Sequence, residues 1–499
     1  MKKRQRKATV TDSERLERAI DDIWEIAAGF GLDPFEINFE MVPAHIMYEF
    51  GAYGLPSRFS HWTFGRAYQE MKTMYDYGLN KIYELVINTD PCYGFLLQSN
   101  SVLQNKLVVA HVIGHADFFK NNLYFQQTAR DMLEIAGVNA ERIRGYEFQH
   151  GRAEVEAFLD AALSIQEHVD PNQLTRAYKD REAPALRHPR QARVANYADL
   201  FHPEELVSLK AERERRQHVP AEPEKDLLLF LTEYAEGLHE WQRDILNIVR
   251  SEMLYFLPQM LTKIMNEGWA AYWHARIMRE LDLTPGESIE FAALHANVLA
   301  PSERQVNPYL VGIKILEDIE RRWDNPSEEE RTLLGRQPGQ GRAKMFEVRE
   351  SESDVSFLRN YLTGDLIRDL DLHVFNKQEG GEEAKSEETT SWEEIRDTLV
   401  GSLNNFGYPY LQVEDGNFHN EGELLIKHVF DGQELDLKYA ERTMPYLHKI
   451  WGRPVHLETI VEEKRTLLTF DGDPEGLKKE PLEGEGQSGA EGGETQAPA

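Results

Sequence analysis

Two histidines four residues apart, His111 and His115, carry the strongest chemical signal in this chain. They lie in the run Ala110-His-Val-Ile-Gly-His-Ala-Asp-Phe-Phe-Lys120. On an α-helix such residues are about 40° apart around the axis and ~6 Å apart along it, so two imidazoles can reach one ion. A second run, Asn266-Glu-Gly-Trp-Ala-Ala-Tyr-Trp-His274, supplies a carboxylate, Glu267. His111, His115 and Glu267 are therefore the expected ligands of a divalent transition metal, with zinc the expected ion. On spacing alone, core histidines bonded to neighbouring carbonyls and a buried carboxylate paired with a cation compete with this reading. His274 follows Glu267 by two helical turns, about 10.5 Å along the axis, too far to share an ion at bond lengths of ~2 Å. It is expected to act catalytically from outside the ligand set, supporting a ligand, contacting substrate or binding a second metal, or else to pack beside Tyr272 and Trp273.

The segment Asn266-Glu-Gly-Trp-Ala270 resembles one in the gluzincin metallopeptidases, where the glutamate is the third zinc ligand after two histidines of an H-E-x-x-H helix. That resemblance implies a two-histidine, one-carboxylate site with room for water. One residue departs from the pattern: Val112 stands where the family has its general-base glutamate, and the spacer between the runs is longer. A base must then come from elsewhere. Glu156 and Asp160 lie four apart on a predicted helix beside an apolar stripe, and a partly buried carboxylate there gains basicity. Glu156 is the expected base; a solvated helix edge is the alternative. His61, within Ser60-His-Trp-Thr-Phe-Gly-Arg66, is a further candidate.

These residues need elements to hold them. The His111/His115 helix is apolar nearly all round, which predicts burial, with Asn100 or Ser101 as its cap. Gly114 costs about 1 kcal/mol against Ala inside a helix, and makes sense where a second backbone or a ligand comes close. Leu16 to Ala27 reads as an amphipathic helix with Ser13 as a candidate cap, and Lys81 to Asn88 as a strand. Helices are also expected over 153–168, near 203–218, from 224 to about 281, and over 310–323. Beyond residue 400 the period shifts toward two. Strands are expected at 410–414, 423–430, 455–461 and 466–470, with Asp431-Gly432 a hairpin turn into 434–437 and a helix near 439–451. The expected fold class is α+β: a large, mainly helical N-terminal domain with a zincin-like centre, and a small C-terminal α+β domain. The expected boundaries are a disordered basic terminus over 1–9, the large domain over 10–375, a disordered acidic linker over 376–391, the small domain over 392–472, and a disordered acidic tail over 473–499.

Composition sets limits on function. Asp and Glu number 86 against 56 Lys and Arg, a net charge of −30, so nucleic acid is not an expected partner. The single cysteine, Cys92, leaves no intramolecular disulfide and no cysteine-cluster metal site. No run approaches the ~20 apolar residues of a membrane span, no signal peptide is legible, and the expected location is cytoplasmic.

Several runs together resemble the stage V sporulation protein R family, SpoVR: His61-Trp-Thr-Phe-Gly65, Tyr83-Glu-Leu-Val-Ile-Asn88, His111-Val-Ile-Gly-His115 with Phe118-Phe-Lys-Asn-Asn122, Met265-Asn-Glu-Gly-Trp269, Asn307-Pro-Tyr-Leu-Val-Gly312 and Trp451-Gly-Arg-Pro-Val-His456. The resemblance implies a link to spore cortex formation or to a wider stress or envelope pathway. It also implies a PrkA-like AAA+ serine kinase and a von Willebrand A-type protein as partners. The first functional expectation is a metal-dependent hydrolase or amide-bond-processing enzyme with a peptide or peptide-like substrate. The alternative is a non-enzymatic scaffold in a kinase-linked stress complex.

Overall fold

In the computed structural model the described residues are 11–76, 84–170, 219–301, 306–373, 375–377, 383–385, 391–473 and 476–482. The predicted helix near 203–218 lies outside them. In chain order the elements begin with α1 (Asp12–Gly29), β1 (Ile37–Val42), α2 (Ala44–Tyr53), α3 (Trp62–Asp76), β2 (Glu84–Ile87), β3 (Cys92–Leu97), α4 (Val102–Asn121), α5 (Met132–His150) and α6 (Arg152–Leu163). There follow α7 (Leu227–Tyr234), α8 (Glu240–Leu261), α9 (Lys263–Glu280), α10 (Pro285–Val298), α11 (Pro308–Asp324), α12 (Glu328–Leu334), α13 (Gly341–Ser351), α14 (Asp354–Tyr361) and α15 (Gly364–Asp369). The last are β4 (Phe375–Lys377), β5 (Glu383–Lys385), α16 (Trp392–Leu403), β6 (Leu411–Phe418), β7 (Glu423–His428), α17 (Leu437–Trp451), β8 (Val455–Val461), β9 (Lys464–Phe470) and β10 (Lys478–Pro481). No described helix is long and apolar enough to cross a membrane.

The chain divides into two compact units. One comprises residues 1–152 and 251–408, the other 153–250 and 409–499. The first is mainly helical. Its core gathers α1, α4, α9, α11, α13 and α14 through residues such as Ile23, Phe118, Trp269, Ile315 and Phe357. α1 starts at Thr11, whose hydroxyl accepts from the Glu14 amide while the Glu14 carboxylate accepts from the Thr11 amide. Ser13, the expected cap, sits instead in the first turn; Thr11 wins because Glu14 stands three residues on. α4 has the same box, from Ser101 and Gln104. It is buried on all sides from Val108 to Phe119, as its unbroken apolar sequence requires.

A small sheet of order β1-β3-β2 packs against α4, with β1 parallel and β2 antiparallel to β3. Helix and sheet approach closely at Gly94, where a Cβ would lie 3.1 Å from Val112 Cγ1. α16 belongs to this first unit, since Ile395 and Val400 join its core and Trp392 covers Gly364. The sequence reading put the small domain's start at 392, ahead of this helix. Within the stretch read as a linker, β4 and β5 form a two-stranded ribbon.

The second unit carries a five-stranded sheet of order β10-β9-β8-β7-β6. β7 and β8 are parallel, joined by the crossover through α17. The hairpin expected at Asp431-Gly432 does not form. Asp436 instead accepts from the amides of Lys438 and Tyr439 and starts α17, so 434–437 cannot continue as a strand. The tight hairpin is one connection earlier, at His419-Asn420, both with positive φ. The acidic tail contributes β10, paired to β9, where disorder was expected from 473; backbone pairing substitutes for the missing apolar contacts.

Candidate metal centre

The site grows from a close crossing of two helices. A Cβ on Gly114 of α4 would lie 2.7 Å from Ala270 Cα on α9. A Cβ on Gly268 would lie 2.4 Å from the backbone of Gly312 on α11. Bare backbone at both contacts lets α9 sit between α4 and α11 at a distance that side chains would forbid. The crossing is locked by Asp117 of α4, which accepts from Arg349 at 2.7 and 2.9 Å, from Trp269 Nε1 at 2.8 Å and from the Asp33 amide at 2.7 Å. The start of α9 is fixed by Asp354, whose carboxylate accepts from the amides of Ile264 and Met265 at 2.8 and 2.9 Å. Burial lifts the Asp354 carboxyl to about 7, against the pull of those two hydrogen bonds.

At this crossing His111, His115 and Glu267 converge, joined by Glu84 from β2; their ligand atoms all lie within 4.8 Å of one another. Glu267 Oε2 is 3.6 Å from His111 Nε2 and 3.4 Å from His115 Nε2, and Glu84 Oε1 is 3.2 Å from His111 Nε2. Donor atoms around an ion at bonds of ~2.05 Å in a tetrahedral arrangement stand about 3.3 Å apart, which these three separations approximate. His111 Nε2 and Glu267 Oε2 are buried and lack a well-directed hydrogen bond among the described residues. Such atoms cost ~1–3 kcal/mol each unless a proton or a cation between them satisfies both.

The outer nitrogens of both histidines are engaged. His115 Nδ1 lies 2.8 Å from Asn266 Oδ1. An amide oxygen only accepts, so Nδ1 carries a proton and Nε2 is the nitrogen turned to Glu267. His111 Nδ1 lies 2.8 Å from His274 Nδ1, and His274 Nε2 lies 2.8 Å from His295 Nδ1 on α10. With His111 Nδ1 donating to His274 Nδ1, His274 Nε2 donates in turn to His295 Nδ1. His274 thus stands behind His111, as its distance from Glu267 along α9 requires.

The two carboxylates and the two imidazoles shift one another strongly. Burial alone would lower the His111 pKa, but Glu84 and Glu267 override it and lift it to about 10. Burial would raise Glu267, yet the two imidazoles hold it well below the usual carboxylate range. His274 is pushed far down by burial and by His111 and His295, which favours its neutral form. Tyr309 of α11 has its ring centroid 5.9 Å from that of His111. Its phenol is pushed up by burial and by the charges of Glu267 and Glu84, so it stays protonated. The histidine side chains are only 4–5% exposed, whereas Glu84 and Glu267 are 23% and 21% exposed, so the carboxylate side is the accessible one.

Glu156, the expected base, is half-buried on α6 in the other unit and is not part of this cluster. His61 precedes α3, buried, with Nδ1 2.7 Å from Thr63 Oγ1. Val112 faces the sheet at Gly94. Sequence reading missed Glu84, His295 and Tyr309. Glu84 and Tyr309 lie in quoted runs, Tyr83-Glu-Leu-Val and Asn307-Pro-Tyr-Leu, but neither run has a spacing that points to a ligand set.

Residues 11–408 match the family described as "SpoVR like protein", and residues 409–462 match the "SpoVR-like C-terminal domain". The chain is similar to the "Uncharacterized protein YcgB" of Escherichia coli (strain K12), at 27% identity over 482 residues, 89% of this chain and 91% of that one. No solved structure matches it.

Proposed function

The chain belongs to the SpoVR family, and from that premise and the geometry of its centre we propose that it is a metal-dependent hydrolase that cleaves an amide bond. The observation that carries this is the convergence of His111 Nε2, His115 Nε2 and Glu267 Oε2, buried and set at ligand spacing beside Glu84. His111, His115 and Glu267 hold the ion, with zinc the expected species. When bound, such an ion polarises a carbonyl and acidifies water.

The chain's own residues supply the rest. Glu84 takes the base role that gluzincins give to the glutamate after their first histidine, accepting a proton at Oε1. Tyr309, kept protonated, donates a hydrogen bond to oxygen that gains charge in the transition state. Asn266 and His274 fix the imidazole orientations. β2 is an outer strand of its sheet and carries Glu84, so an extended peptide added along it would run past the site. This supports a peptide or peptide-like substrate. Placement in a stress, envelope or spore-cortex pathway, beside a PrkA-like kinase and a von Willebrand A-type protein, completes the proposal.

The scaffold alternative rests on Val112, which leaves α4 without the gluzincin base. Glu267→Gln separates the two readings. It keeps size and most hydrogen bonds but removes the ligand charge. Loss of complementation in a deletion strain, at normal protein abundance, is expected. Full complementation by this variant would overturn the hydrolase.

A further inference from the structure

A second cluster of ligating side chains lies in the other unit, on the small sheet. β6 and β7 form a hairpin in which Phe418 pairs with Glu423. The turn between them puts His419 at φ 58° and Asn420 at φ 59°. Left-handed backbone costs a non-glycine residue roughly 1 kcal/mol or more, so this turn is held against a local preference. The hairpin is braced by Asn417, whose side-chain oxygen accepts from the Gly422 amide at 3.1 Å. Its effect is to fold the His419 imidazole back onto Glu423, with Nδ1 2.9 Å from Glu423 Oε2. His456, on the adjacent parallel strand β8, brings Nε2 to 2.9 Å from the same oxygen. The donor atoms of all three residues lie within 4.8 Å of one another.

We propose that His419, Glu423 and His456 form a second metal site, which binds a divalent first-row transition ion and ties the β6–β7 hairpin to β8. Two imidazoles and a carboxylate suit zinc, nickel or copper, and not calcium or magnesium, which take oxygen ligands. The three are graded from inside to outside: His456 and Glu423 side chains are 6% and 14% exposed, His419 is 57% exposed. An ion would thus enter from solvent through the His419 side, keeping one position open to water. Phe418 walls the other side, its ring centroid 3.8 Å from that of His419 and 5.0 Å from that of His456.

The outer shell fits as well. His456 Nδ1 lies 2.9 Å from Thr469 Oγ1 on β9. With Nδ1–H donating to that hydroxyl, Nε2 presents a lone pair toward Glu423, and a cation belongs between them. The same sheet contains its own control. His428 makes the same cross-strand contact, Nδ1 to Thr459 Oγ1 at 2.9 Å, but joins no ligand cluster among the described residues. A His–Thr pair in this sheet therefore does not by itself gather a carboxylate and a second imidazole; the strained turn at His419 does that. The competing account is a plain hydrogen-bonded triad, with both imidazoles donating to Glu423. Nearby Arg453, which donates to the Glu421 carbonyl and pairs with Glu236, has its charge engaged elsewhere.

The test is zinc titration of the tag-free full-length chain against a chromophoric chelator, with cobalt absorption spectra as a second readout. His419→Ala alters an exposed side chain and is expected to leave the fold intact while removing one equivalent of zinc. Thr469→Val is expected to weaken that equivalent by about 10- to 100-fold. Glu267→Gln, which acts only on the first centre, is expected to leave it untouched, so either site can fail without the other. The wild-type thermal midpoint should rise with zinc, and part of that rise should vanish in His419→Ala. Zinc binding by His419→Ala equal to wild type in number and affinity overturns the site in favour of the plain triad. So does a Glu267→Gln chain that binds no zinc.

Discussion

Gly114 and Ala270 face each other so closely that one methyl group on Gly114 would fall 2.7 Å from Ala270 Cα. The convergence of His111, His115 and Glu267 depends on this approach, because it sets the distance between the helix of the two histidines and the helix of Glu267. Gly114→Ala should push the helices apart. Overpacking of this kind costs about 1–3 kcal/mol, and more where backbone must move. Urea unfolding should show the lower midpoint, and zinc affinity should fall further than stability does. Unchanged zinc affinity would mean that the spacing of α4 and α9 does not control the site.

Metal uptake should depend steeply on pH. Without an ion, His111 is held protonated by Glu84 and Glu267, with a pKa lifted to about 10. Zinc must displace that proton, so affinity should rise with pH up to about 10, with close to one proton released per ion from His111. Calorimetry in buffers of different ionisation enthalpy counts the protons. The sign is firm: a raised imidazole pKa makes the proton a competitor below it. Flat affinity between pH 6 and 9, roughly the span below that pKa, would argue against His111 as a ligand.

The base can be identified by comparing two variants. Glu84→Gln should lower turnover by about 100-fold or more while zinc still binds, as expected for loss of general-base catalysis. Glu156→Gln, the other candidate, should leave turnover near wild type. A reversal of the two results would return the base role to α6.

The buried ion pair behind the centre gives a stability prediction. Asp117 is raised by burial despite the pull of Arg349, which shows how much its charge needs that partner. Arg349→Ala strands the carboxylate and should cost about 3–5 kcal/mol. Replacing both partners, as Asp117→Asn with Arg349→Met, should cost less than Arg349→Ala alone. Denaturant curves of the single and double variants decide it.

Much of the centre was legible because it is written twice at helical spacing. His111 and His115 are one turn apart, and Glu267 and His274 are two turns apart on their own helix. Gly114 was legible as a point of close approach, and the structure supplies the neighbour, Ala270. Glu84, His295 and Tyr309 were not legible, because each comes singly from a different element and only tertiary packing gathers them. The small sheet teaches a similar lesson about turns. Asp431-Gly432 has hairpin chemistry, but the capping of α17 by Asp436 takes precedence. The turn that does form uses His419 and Asn420, which are accepted in left-handed backbone but not marked by it.

The carboxylate that caps α9 has a consequence for how the protein is made. Ile264 and Met265 give their amides to Asp354, some ninety positions later in the chain. A nascent polypeptide halted at residue 350 already contains both histidines and Glu267, yet it lacks the acceptor that seats the helix bearing Glu267. Arg349, which pairs with Asp117, is then still at the site of synthesis. The centre should therefore mature only after synthesis has passed this point. A stalled chain ending at 350 that retained zinc as tightly as the full protein would show that the order does not matter.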